Sequence, residues 1–179
     1  MRPARTTAAG FVLALIVGVA GTAHAQMPES YRQVQRAMLE TERRMALAMA
    51  DSMPERYYRE KATPTQRDFA QQIAHAAGAV PMIASQFLGG PQPSLPDTAA
   101  SYASRAGLRA YINAAYDYGA NLLRTQSAAD REATVQFFGS TMPKWQVWDE
   151  LHQHTIWTLG QVVANFRAHG NPPPPFLFF

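Results

Sequence analysis

Any metal in this 179-residue chain would be held by histidine, carboxylate, water or methionine, because the chain contains no cysteine. A thiolate nucleophile, a thiolate metal ligand and a CxxC redox pair are thereby excluded. One candidate, His75, stands in an apolar-periodic segment near the middle; Glu150, His152 and His154 cluster in another towards the end. Glu150 and His154 are four residues apart and share one face of a helix. His152 lies two residues from His154, about 200° around the axis, and cannot join them while the helix is regular. The ordinary role for His75 and His154 is as inward histidines bonded to each other or to a buried polar group. Glu150 is ordinarily a solvated carboxylate. His152 and His169 are expected at the surface, with His169 in a last helical turn where positive charge is favoured. Met38, Met45, Met49 and Met53 recur at helical spacing, which is usually core filling, although thioethers beside histidine would also suit Cu(I). Trp145, Trp148 and Trp157 are expected as core or pocket wall. No Gly-rich phosphate loop, GxSxG, HExxH or CxxC motif is present.

Four helical segments must position these groups. The first is predicted over 30–51, with Ser30 as cap and Pro54 as terminator, and with Tyr31, Val34, Met38, Met45 and Met49 on one face. The second starts from a capping box at Thr65 and Asp68 and runs to Gly89-Gly90, with a kink or loosened turn at Pro81. Asp97 caps a third helix that reaches about Thr125, and 127–141 is less regular, with 134–139 either a short extended piece or a helical turn. The fourth starts near Thr141, with Pro143 in its first turn. Its stripe is Trp145, Trp148, Leu151, Thr155, Leu159, Val162 and Phe166, and Gly170 ends it. Strand signals are almost absent, so the fold class is an all-α four-helix bundle.

The first residues predict the compartment. Arg2 and Arg5 precede an apolar run from Phe11 to Ala20, and Ala23-His24-Ala25 is a small-x-small cleavage pattern. Residues 1–25 are therefore expected to be a signal peptide and 26–179 the domain, in the periplasm or secreted, with no membrane span after cleavage. The whole chain carries 16 basic and 13 acidic residues. Loss of Arg2 and Arg5 leaves 14 against 13, too weak a field to attract nucleic acid. The mature chain is long enough to bury a core without disulfides.

Two stretches then carry a family pattern. One runs A-M-A-D-S-M-P-E-R-Y-Y and then K-A-T-P-T-Q-R-D-F-A-Q-Q-I-A-H-A. The other runs L-H-Q-H-T-I-W-T-L-G-Q-V-V-A-N-F-R-A-H-G-N-P-P-P-P. The MPE-x-x-Y, F-x-x-x-I-x-H and GQ-then-G-x-PP segments, in this order and spacing, resemble the DinB-like superfamily of four-helix bundles. The resemblance implies a divalent metal held by three histidines, one on the second helix and two spaced by four on the last. His75 and His154 match the first two positions, and Thr158 stands at the third. A neutral hydroxyl is a poor ligand, so Glu150 is the donor expected to complete a His75, His154, Glu150 set for Zn, Ni, Fe or Mn. The same resemblance implies thiol-dependent transfer or isomerisation of a small-molecule substrate, in which a metal lowers the pKa of the thiol. The alternative is a non-catalytic bundle that has lost its metal site and serves as a binding module or homodimer. The apolar ending, Pro172 to Phe179, is expected either to fold back over the bundle or to meet a partner.

Overall fold

The structure is a computed structural model that describes residues 27–178. The expected signal peptide lies outside the described residues. Four long helices dominate: α1 (Glu29–Ser52), α2 (Phe69–Phe87), α4 (Arg105–Thr125) and α6 (Lys144–Ala168). Short helices α3 (Thr98–Ala103) and α5 (Ala128–Glu132) and a hairpin of β1 (Thr134–Phe137) and β2 (Ser140–Pro143) fill the connections. Helix α2 packs on α4 and α6, and α1 packs on the same two, so α1 and α2 face each other across the bundle diagonal. No described helix is long and apolar enough to cross a membrane.

Local chemistry explains where the elements begin. Helix α1 starts one residue before Ser30, at Glu29, and has no side-chain cap. The capping box of α2 is made by Asp68 and Gln71, not by Thr65. The Asp68 carboxylate accepts from the Gln71 N–H at 2.8 Å, and Gln71 Oε1 accepts from the Asp68 N–H at 3.2 Å. Helix α2 then runs through Pro81 without a break. The expected third helix is two helices, because Ser104 is extended (φ −155°) and its hydroxyl caps α4 by accepting from Gly107 N–H. Pro143 precedes α6 instead of lying in its first turn. Residues 134–143 form an antiparallel hairpin, with Phe137 opposite Ser140.

The buried faces follow the helical period with one shift. In α1 the buried line is Gln35, Leu39, Glu42, Met45, Ala46 and Met49, whereas Val34 is exposed and Met38 half-buried. The stripe expected on α6 is buried except for Trp145, which is half-buried. Met45, Met49 and Met53 fill the core. Gly119 brings α4 close to α2: a Cβ there would collide with Val80 Cγ1. At the C-terminal end Gly170 takes φ 68°, and Asn171 N–H closes back on the Phe166 carbonyl at 2.9 Å. The tail folds back as one of the two expectations had it. Pro174, Pro175 and Phe176 border a small apolar cavity with Met45, Met49 and Ile156.

Candidate functional site

Helices α2 and α6 bring His75 and His154 together, with ring centroids 5.4 Å apart and planes at 75°. The Asp68–Gln71 box fixes the start of α2, so His75 falls two turns later on the side that meets α6. His75 is exposed, not the inward histidine expected, and His154 is half-buried. Burial lowers the pKa of each, the Arg67 guanidinium lowers both further, and His154 adds to the effect on His75. Both imidazoles are therefore biased towards the neutral form, the form that binds metals. His154 Nδ1 is buried and has no hydrogen-bond partner, an unspent acceptor or donor beside His75.

The third position of the expected family pattern is closed. Thr158 is buried on the face of α6 that meets α2. Its carbonyl accepts a 3.3 Å bond from Gln72 Nε2, which also reaches Gln161 Oε1 at 3.2 Å. Gln66 ties the same stretch by donating to the Gln161 carbonyl at 3.1 Å. Amide side chains thus hold α2 to α6 where the resemblance implies an imidazole. Glu150 lies one turn before His154 and shares a pocket with it. Among the described residues, no three His, Cys, Asp or Glu side chains are gathered closely enough to hold one ion.

The imidazole pair sits on a seam between two open pockets of different character. On the His75 side is a pocket of about 510 Å³ bordered by Arg67, Gln71, Tyr102 and Tyr111. Gly78 lets the Tyr111 hydroxyl lie against α2 at the pocket wall, since a Cβ there would be 2.7 Å from it. On the His154 side is a pocket of about 420 Å³ bordered by Phe137, Phe138, Trp157 and Glu150.

A second polar group lies in the bundle interior and was not visible in the sequence reasoning. Glu42 on α1 is buried, and its carboxylate pairs with His152 Nδ1. Its second oxygen, Oε2, has no hydrogen-bond partner, and the buried Tyr116 hydroxyl on α4 likewise has none. Burial pushes the Glu42 carboxyl up to about 7 against the opposing pull of His152 and, more weakly, of the Thr155 hydroxyl. Burial, and then the charge of Glu42, raise the Tyr116 hydroxyl well above its ordinary value. His152 is thus not the surface residue expected: it turns inward because α1 offers a carboxylate there. His169 is not free at the surface either, but stacks on Tyr57 with centroids 4.3 Å apart. A signal for Glu42 did exist, since it follows Leu39 by three and precedes Met45 and Ala46 within one apolar stripe.

No family model matches the sequence, and no curated protein is similar enough to match it. Among solved structures, the fold is similar to that of a DinB-like protein from Bacillus cereus ATCC 10987. The TM-score is 0.59 at 21% identity, over 81% of this chain and 97% of the other. The likeness shows the fold: a four-helix bundle of the DinB-like type.

Proposed function

We propose that this chain is an exported metal-binding bundle whose His75–His154 pair holds a divalent cation of the Zn, Ni, Fe or Mn class. The observation that carries the reading is the ring contact of two imidazoles on different helices, one with a buried, unpartnered nitrogen. Both ligands are of a type these metals accept, and burial favours their neutral forms. The donor set is short by one protein ligand compared with what the resemblance implies, because Thr158 replaces the third histidine. Such a site binds more weakly than a closed three-histidine site and leaves coordination positions to water or substrate. A divalent cation held there would supply Lewis acidity towards a thiol or a water molecule. The chain's own residues contribute the rest: Arg67 lowers the pKa of both imidazoles, and the two flanking pockets give a ligand access from either side. Thiol-dependent transfer is the reaction class that the resemblance favours, with the substrate unassigned.

A second reading is supported by the buried Thr158 and the Gln72 bond to its carbonyl. On that reading the bundle is non-catalytic, and amide packing has replaced the metal. Elemental mass spectrometry on the protein purified without a polyhistidine tag separates the two. Near-stoichiometric metal that His75→Ala removes supports the metal site. Absence of metal in the native chain, together with metal in Thr158→His, would leave the non-catalytic reading in its place.

A further inference from the structure

The pocket on the His154 side has a wall that folding alone does not require. The β1–β2 turn consists of Phe138 and Gly139, with φ of 43° and 93°. Both values are positive, as in the tight hairpin turn whose first position is ordinarily Asn, Asp or Gly. Phe138 is the one non-glycine residue with positive φ among the described residues. A bulky side chain in this conformation is strained, and such strain concentrates at ligand sites. Burial does not repay it, because Phe138 is 73% exposed. Across the pocket, Trp157 is 75% exposed. Phe137 packs 4.7 Å from Phe138, and both pack on Phe87 at 5.0 and 5.2 Å, which fixes the turn against the end of α2.

The electrostatics of the pocket are one-sided. Glu150 borders it and makes no hydrogen bond or ion pair with the described residues. No Lys or Arg lines it, and Arg67 borders the other pocket, beyond His75. Three aromatic rings and an unpaired carboxylate around about 420 Å³ make a site of small-molecule size. Aromatic faces carry negative potential and attract ammonium groups, most strongly where a carboxylate shares the site.

We propose that this pocket binds a small organic cation: an ammonium group on a flat apolar body, the body between Phe138 and Trp157 and the ammonium at Glu150. The inference does not rest on the metal reading; His154 also borders this pocket, so a metal held there would oppose the organic cation and the test uses metal-free protein.

The test is calorimetric titration of the full, chelator-treated protein with 2-phenylethylammonium, beside 3-phenylpropionate and propylammonium. The expected result is saturable one-to-one binding of the aromatic cation. The aromatic anion and the ringless cation should each bind at least about tenfold more weakly. Glu150→Gln and Trp157→Ala should each weaken the aromatic cation by about tenfold, with helical content by circular dichroism unchanged. Phe138→Leu, which keeps an apolar side chain but removes the aromatic face, should weaken it severalfold. Equal or tighter binding of the anion, or no saturation by the cation, would overturn the proposal. So would a dimer that Trp157→Ala converts to monomer, because the aromatic wall would then be a self-association face. Should the metal reading fail while the cation still binds, the pocket stands alone.

Discussion

Two histidines separated by one residue on α6 have opposite fates. His152 turns into the bundle and meets the buried Glu42 carboxylate; His154 turns towards α2 and meets His75, with its Nδ1 left unpartnered. The first imidazole has its hydrogen-bonding capacity committed to the fold. The second retains capacity at a half-buried position between two open pockets. An interior polar pair fixes how helices sit against each other, whereas an unsatisfied one at a cleft is available to a ligand. Residue type and helical position alone do not separate these roles: the facing helix does, through Glu42 on α1 and His75 on α2.

The largest effect that would break this contrast is on stability. His152→Ala should cost about 2–3 kcal/mol, because it strips a buried carboxyl of its partner. His154→Ala should cost under about 1 kcal/mol, having no hydrogen bond to lose at Nδ1. Urea unfolding followed by tryptophan fluorescence checks both, and equal costs would erase the distinction.

Next in size is the pH response of the interior pair. The folded Glu42 carboxyl lies at about 7 against an ordinary 4.5, so its contribution is fully present below about 4.5. That contribution falls as pH rises towards and through 7, since the folded state then has to accommodate a buried charge. Glu42→Gln should flatten this fall, gaining on the native chain between pH 5 and pH 8 in the same unfolding assay. An unchanged pH profile would mean that Glu42 does not titrate in this window.

The ligand side is sharpened by Thr158→His. Zinc affinity by competition with a chromophoric chelator should rise at least about tenfold. The larger ring has to fit where a buried threonine side chain now sits, so stability should fall by about 1–3 kcal/mol. Affinity unchanged from the native chain would mean that position 158 does not face the imidazole pair. The smallest expected change is at the hairpin. Phe138→Asn should stabilise the protein by under about 1 kcal/mol, by relieving positive φ, as thermal unfolding would show.

Much of this architecture was legible in the sequence. The period of the apolar residues placed all four long helices, and Gly170 ended α6 where expected. The breaks were less visible. Ser104 splits one predicted helix through its own side-chain cap, a local competition that apolar periodicity does not register. The hairpin was ambiguous because residues 134–139 are too few to distinguish extension from a turn. At the candidate site, the resemblance singled out His75 and His154, and their ring contact required the packing of α2 on α6. Glu42 was hidden because a carboxylate in an apolar stripe is ordinarily assigned to solvent, and its burial is made tolerable by His152 on α6, far along the chain but packed against α1.

The hairpin, finally, bears on how such a protein diversifies. Residues 134–143 leave and return at adjacent points, since Thr134 pairs with Pro143, and the segment carries two aromatic residues of the pocket wall. Its main-chain ladder closes on itself and borrows no strand from the bundle. A change of length in this segment would therefore reshape one wall of the pocket beside His154 while the four long helices keep their sequence. The opposite wall, with Glu150 and Trp157, belongs to α6, so the two walls differ in how freely they can vary.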